Sequence, residues 1–145
     1  MGMSGRILHG GCLCRAVRYE CSGPIESVAL CHCESCRRSC GAHVVAWFTV
    51  RTDGFRLSHG TAREFASSPP VRRTFCAQCG SPLTYRHRDR ADCIDVTVAT
   101  LEDPSALAPQ YHVWVADALR WERSCDELPR YRTSHSAAVL DKPIK

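Results

Sequence analysis

The sequence predicts a mainly β fold, and three observations support this prediction. Most apolar stretches are short and rich in β-branched or aromatic residues, and Gly, Pro, Asp or Ser separates them, which is typical of strands and turns. Helical patterns are few and short. Seven of the eleven cysteines fall into three tight clusters, and this spacing indicates bound metal ions rather than disulfides.

The individual elements follow from local patterns. Residues 16–20 (AVRYE) alternate between apolar and polar side chains, and residues 44–50 (VVAWFTV) form a continuous apolar run, which predicts a central strand covered on both faces. A short helical turn is expected after Cys33, and residues 103–107 fit the first turn of a short helix. Further strands are predicted over 55–58, 62–66, 83–86, 93–100 and 110–115.

The turn signals separate strands rather than domains. They lie at 22–24, 53–54, 68–70 and 80–82, where Gly, Pro, Asp and Ser cluster. A chain of 145 residues is long enough for one hydrophobic core of ordinary size. We therefore expect a single domain over residues 1–135, followed by a loose tail at 136–145.

The chain also lacks the signals of a membrane or secreted protein. It contains no run of the roughly 20 apolar residues that a membrane helix needs, and its first residues lack the apolar segment of a signal peptide. We expect a cytoplasmic, reduced protein with no membrane association. In a reducing compartment, clustered cysteines are typical of metal-binding or catalytic sites.

The seven clustered cysteines suggest two different metal sites. They are Cys12, Cys14, Cys31, Cys33, Cys36, Cys76 and Cys79. A structural zinc has four protein ligands, whereas a catalytic zinc has three and keeps one position open. Seven thiolates therefore fit two zinc ions, one held by four sulfurs and one by three. With both bound, the formal charge of +4 falls to about +1 and the basic excess that favours a nucleic-acid partner mostly disappears.

Two of the clusters have the spacing of metal-binding turns. In Cys76-Ala77-Gln78-Cys79, two sulfurs can converge from one turn, and Gly80 suits the positive φ that such a turn often requires. A redox C-x-x-C would favour a following long helix, which the strand-like residues after Pro82 do not supply. The Cys12/Cys14 pair is a natural partner for this turn, because one shared ion would close a long loop. A partition in which Cys31, Cys33 and Cys36 share a ligand from either other cluster stays open.

The third cluster places three sulfurs in six residues, Cys31 to Cys36, so that one short loop can supply three corners of a tetrahedron. Cys40 is an alternative fourth ligand, which would close this second site. His32 lies between two ligands and is expected to point away from the metal, either as a second-shell donor or as a surface residue. His112 is a candidate pocket residue. The dispersed Cys21, Cys93 and Cys125 are assigned no role.

These motifs resemble the glutathione-dependent formaldehyde-activating enzyme family, also called S-(hydroxymethyl)glutathione synthase, whose wider domain family includes centromere protein V. The resemblance rests on ordered motifs across most of the chain: GGCLCRAVRYE at 10–20, CHCESCRRSCGA at 31–42, RTFCAQCGSPLTY at 73–85, LEDP at 101–104, YHVWV at 111–115 and LPRY at 128–131. Two features depart from the family pattern, namely Cys40 and the ADALRW segment at 116–121 in place of an R-A-P-W stretch.

The resemblance implies a β-tent of packed antiparallel sheets with short helical turns and two zinc ions. It implies that Cys12, Cys14, Cys76 and Cys79 hold a structural zinc and that Cys31, Cys33 and Cys36 hold a second, catalytic zinc. The implied reaction is that of a carbon-sulfur lyase, in which a thiol such as glutathione adds reversibly to formaldehyde. Arg37, Arg38 and Arg73 are candidates for binding substrate carboxylates.

Two functions therefore compete at this point. The first is a zinc-dependent lyase that acts on small molecules, a thiol and an aldehyde. The second is a non-enzymatic module in which both zinc ions are structural and the surface binds a protein. The sequence favours neither a nucleic-acid partner nor any particular oligomeric state, and we expect the lyase.

Overall fold

The computed structural model describes residues 5–135, so that the tail predicted at 136–145 lies outside the described residues. The fold is mainly β, as the sequence predicts. Within the described range the α-helical segment is α1 (Glu34–Cys40). The strands are β1 (Leu8–Gly11), β2 (Arg18–Cys21), β3 (Ser27–Cys31), β4 (Val45–Arg51), β5 (Phe55–His59), β6 (Arg63–Ser68), β7 (Val71–Phe75), β8 (Pro82–His87), β9 (Cys93–Thr97) and β10 (Tyr111–Val113).

The contacts divide the chain into two compact units. The described part of the first unit comprises residues 5–27 and 48–107, and that of the second comprises 28–47 and 108–135. Strand β4 contributes to both, because the division falls between Trp47 and Phe48. That residues 1–135 fold as a single domain stays a prediction.

The first unit contains antiparallel strands in two sheets. One has the order β1-β2-β5, with Leu8 opposite Cys21 and Cys21 opposite Phe55. The other contains β4, β9, β8, β7 and β6 in this order, and neighbouring strands from β6 to β9 pair antiparallel. The core of this unit is mainly apolar. Several large side chains in it are almost completely buried: Tyr19, Phe48, Val50, Leu83 and Val96.

The second unit is built around a parallel pair of strands. β10 pairs with β3 so that Val113 lies opposite Cys31. The chain then returns alongside β10, where the backbone N–H of His112 donates to Pro129 O and that of Tyr131 donates to His112 O. Helix α1 begins directly after Cys33 and ends at Gly41, whose φ of 62° allows its N–H to reach Arg37 O.

Most predicted elements lie within a few residues of their observed positions. The continuous apolar run predicted at 44–50 is β4, in which Phe48 and Val50 have no exposed surface. The strand predicted over 93–100 ends at Thr97, because residues 98–100 form a 3-10 turn in which Leu101 N–H donates to Val98 O. The helix expected at 103–107 is a single 3-10 turn, Pro104–Ala106. The sequence did not predict β3 and β7, and it gave no bounds for β1.

Candidate metal centres

The first cluster is formed by two turns of the first unit. Cys12 and Cys14 follow β1, and Cys76 and Cys79 follow β7, yet all four sulfurs lie within 4.8 Å of one another. The Sγ atoms of Cys12 and Cys14 are 3.6 Å apart, and those of Cys14 and Cys76 are 3.8 Å apart. A tetrahedron with zinc–sulfur bonds of 2.3 Å has edges of about 3.8 Å. The spacing therefore fits a four-thiolate metal site.

Backbone geometry shapes both turns. Gly80 has a φ of 77° and donates its N–H to Cys76 O over 2.8 Å, as the sequence predicts for this position. In the other turn, Arg15 has a φ of 65° and donates its N–H to Cys12 O. A left-handed conformation at a non-glycine residue costs roughly 1–2 kcal/mol, so the surrounding contacts must hold it.

Ser81 links the two turns, a role that the sequence did not predict. Its hydroxyl accepts the N–H of Leu13 at 3.0 Å and lies 3.2 Å from the sulfur of Cys79. This hydroxyl, together with the backbone N–H groups of Cys14 and Ser81, lowers the pKa of Cys79 to about 5. Hydrogen bonds to the charged form favour a thiolate, which is the state that binds a metal.

The second cluster lies at the junction of β3 and α1, in the second unit. Cys31 ends β3, Cys33 caps the N-terminus of α1 and Cys36 lies in its first turn, and their three sulfurs lie within 4.8 Å of one another. The Cys33 sulfur accepts the N–H of Cys36 at 3.3 Å. Cys31 and Cys36 are buried, whereas Cys33 is partly exposed. One loop therefore brings together the three sulfurs that the sequence groups.

The thiols of Cys31 and Cys33 differ strongly in acidity. The thiols of Cys31 and Cys36 donate to the Cys33 sulfur, and this lowers the pKa of Cys33 to about 2, against the effect of burial. The same contact, seen from the donor, raises the pKa of Cys31. The cluster therefore favours a thiolate at its most exposed member, and thiolates are the form in which cysteine binds metal.

Cys40 lies outside this cluster. It is the last residue of α1, its sulfur is 3.7 Å from the Ser39 hydroxyl, and it is not among the residues whose ligand atoms converge with Cys31, Cys33 and Cys36. The second group in the described structure thus has three sulfurs, where the first has four.

His32 is completely buried, as is His112, so that neither is a surface residue. Nε2 of His32 lies 2.8 Å from Nδ1 of His112, and Nε2 of His112 lies 3.0 Å from both carboxylate oxygens of Asp126. Burial lowers the pKa of His32 below its ordinary value, and the neighbouring His112 adds to this. The sequence did not predict a role for Asp126.

The candidate arginines have different surroundings. Arg37 donates its Nε to His32 O at 3.2 Å, and Arg38 pairs with Glu34 at 2.8 Å on the exposed side of α1. Arg73 belongs to the first unit, where it is 3% exposed, donates to the Ser67 hydroxyl and lies 4.9 Å from the ring centre of Tyr85. Arg38 is the most accessible of the three.

No helix among residues 5–135 is long and apolar enough to cross a membrane. The fold and the two cysteine clusters define a mainly β protein with two candidate metal centres. Residues 7–117 match the family model of the glutathione-dependent formaldehyde-activating enzyme. The chain belongs to this family.

Two relatives extend the comparison. An uncharacterized lyase of Schizosaccharomyces pombe is 28% identical over 78 residues, which is 54% of this chain and 56% of the relative. The match thus spans about half of that curated relative. The crystal structure of a Rhodobacter sphaeroides protein is similar with a TM-score of 0.56 and 26% identity, covering 65% of this chain and 87% of that one.

Proposed function

We propose that this protein is a zinc-dependent carbon-sulfur lyase that adds a thiol, glutathione or a related molecule, to formaldehyde or another small aldehyde. The observation that carries this proposal is the difference between the two clusters. Four sulfurs suit a closed structural site, whereas the three of Cys31, Cys33 and Cys36 leave one tetrahedral position for a substrate. Family membership supports the same reaction class.

The residues of the two clusters have separate roles in this proposal. Cys12, Cys14, Cys76 and Cys79 hold a structural zinc, and Cys31, Cys33 and Cys36 hold the catalytic one. The three cysteines would hold the zinc and leave room for a substrate thiol, and the chemistry that the metal would supply is a lowered thiol pKa, which favours a nucleophilic thiolate at neutral pH. The cysteine loop fixes the position from which this thiolate meets the aldehyde.

Arg38 is the best placed of the three arginines to bind a substrate carboxylate. It lies on α1, the helix that also carries Cys36, and its guanidinium is exposed with Glu34 as its ion-pair partner. An exposed pair of this kind contributes only about 0.3–0.5 kcal/mol, so a substrate carboxylate can replace Glu34 at little cost. The reaction needs a thiol pool and reduced cysteines, and we therefore place it in the cytoplasm.

The test is a formaldehyde-plus-glutathione assay on protein of measured zinc content. Exchange between free formaldehyde and its thiol adduct can be followed by NMR, against the spontaneous addition in the same buffer. We expect acceleration by the wild type and by Cys125→Ser, a control at an exposed cysteine outside both clusters. We expect none by Cys33→Ser.

The opposite result would favour the module with two structural zinc ions. A wild type that carries two zinc ions but accelerates addition with neither glutathione nor other small thiols would contradict the lyase. The same would follow if Cys33→Ser were as active as the wild type.

A further inference from the structure

The three-cysteine cluster is connected to a buried hydrogen-bond chain of the second unit. The chain runs from Asp126 through His112 to His32, which lies between two of the cluster residues. Both histidines have no exposed surface, and His32 lies 80 residues from His112 in the sequence. Burying a polar side chain costs free energy unless it is hydrogen-bonded. The partners of these two buried histidines therefore have to be identified.

The direction of the hydrogen bonds follows from the carboxylate. Because an ionised carboxylate only accepts, Nε2–H of His112 donates to Asp126. With His112 neutral, its other nitrogen is an acceptor, and Nε2–H of His32 then donates to Nδ1 of His112. This leaves Nδ1 of His32 unprotonated, and it has no hydrogen-bond partner in the described structure.

His32 is held by its backbone as well as by its ring. Its N–H donates to Val113 O at 3.0 Å, and its carbonyl accepts Nε–H of Arg37 at 3.2 Å. The ring adds a third attachment, to His112 at 2.8 Å. Cys31 and Cys33 flank this residue, so holding His32 in place constrains the backbone from which two of the three sulfurs project.

The far end of the chain is also anchored. Asp126 accepts the N–H of Leu128 at 3.1 Å and lies 3.8 Å from the guanidinium of Arg130. His112 is fixed by two backbone hydrogen bonds to the same segment, through Pro129 O and Tyr131 N–H. The ring of His32 is therefore hydrogen-bonded to a residue that is itself held in place by backbone hydrogen bonds and by the Asp126 carboxylate.

We propose that His112 and Asp126 are positioning residues of the three-cysteine centre, which hold His32 so that Cys31 and Cys33 are preorganised for metal. This inference rests on the second metal centre of the proposed function, and it concerns metal affinity rather than turnover. Partners of this kind commonly change metal affinity by about 10–100-fold.

The experiment is a stepwise cobalt titration of the full chain, in which thiolate-to-cobalt absorption reports each centre. For His112→Phe we expect the second centre to bind about 10–100-fold more weakly, with the first centre unchanged. Asp126→Ala should weaken the second centre in the same direction, near the lower end of that range. Asp126→Asn should stay close to the wild type, because an amide can still hydrogen-bond His112.

The matched control is Val28→Ala, a substitution in β3 that removes buried apolar volume without touching the hydrogen-bond chain. It should lower stability and leave the second centre's affinity unchanged. Ring nitrogen NMR shifts provide an independent readout, since the wild type should show His32 protonated at Nε2 and unprotonated at Nδ1. If His112→Phe does not fold, the comparison of Asp126→Ala with Asp126→Asn decides.

The outcomes that overturn the inference differ from those that overturn the lyase. Suppose that the wild type binds two cobalt ions and that the affinity of the second centre is the same in His112→Phe, Asp126→Ala and the wild type. The positioning role is then wrong, while the lyase stands. Equal weakening of cobalt binding at both centres would also overturn the positioning role. A wild type that binds one ion would contradict the second centre and this inference together, and an inactive protein with the expected affinities would contradict only the lyase.

Discussion

Tyr19 buries a phenol in the first unit and satisfies it with one hydrogen bond. Its hydroxyl lies 2.8 Å from that of Thr100, and only 1% of the residue is exposed. Burial raises the pKa of Tyr19, so it remains neutral at physiological pH. Thr100 also donates to Thr97 O, which keeps it partnered if the phenol is removed.

We therefore expect Tyr19→Phe to destabilise the protein by about 1 kcal/mol, the usual net value of one buried hydrogen bond. Urea unfolding at equal zinc content measures the change. An unchanged midpoint would show that this hydrogen bond contributes nothing to stability.

Cys33 and Cys40 test the composition of the second centre. Cys33 belongs to the three-cysteine cluster and Cys40 does not. Cys33 is the N-cap of α1, and Cys40 is its last residue. We expect Cys33→Ser to lose the second zinc and Cys40→Ser to keep two, as measured by native mass spectrometry. Loss of one zinc from Cys40→Ser would show that Cys40 is a ligand and that the second centre is closed.

The cluster residues could be predicted from the sequence because short spacing forces neighbouring sulfurs together. Asp126 could not, because it lies 14 residues after His112 and no local pattern connects the two residues. Ser81 was missed for a similar reason. Its hydroxyl accepts the backbone N–H of Leu13, which lies 68 residues away in the sequence. Contacts of this kind depend on the tertiary fold.

The turn that carries Cys76 and Cys79 depends on a hydroxyl as well as on sulfur. Ser81 accepts the N–H of Leu13 in the opposite turn and lies beside the sulfur of Cys79. We expect Ser81→Ala to weaken zinc binding at the first centre by about tenfold and to leave the second unchanged. Competition with a chromogenic chelator measures both.

Ser81→Thr is the matched control, because it keeps the hydroxyl and should retain most of the affinity. If Ser81→Ala and Ser81→Thr bind zinc equally well, the hydroxyl has no part in shaping the first centre.

The elements that the sequence missed break the expected hydrophobic patterns. Strand β7 contains Arg72 and Arg73, and Arg73 points inward with 3% exposure, so the strand lacks the apolar alternation by which it would be recognised. β9 is shorter than predicted because the Thr100 hydroxyl donates to Thr97 O, and such local bonds compete with a strand. The continuous run of β4 needed no such correction.

At the scale of the molecule, the two centres should contribute unequally to stability. The first joins turns that are 62 residues apart between Cys14 and Cys76, whereas the second closes a single loop from Cys31 to Cys36. By the chain-entropy relation for cross-links, a loop of 62 residues is worth about 4 kcal/mol and the short loop about 2 kcal/mol. Metal binding contributes to folding in the same way, because the unfolded chain has no preformed site.

We therefore expect Cys76→Ser to lower the melting temperature and the soluble yield clearly more than Cys36→Ser does. Both variants replace a buried cysteine with serine, so the loss of side-chain packing is matched. The difference between their melting temperatures then reports how much each metal-closed loop contributes to stability. Thermal unfolding of zinc-loaded and chelator-treated protein measures it, and chelation should reduce the difference between the two variants. Equal losses before chelation would argue against one structural and one catalytic centre, because both clusters would then stabilise the fold to the same degree.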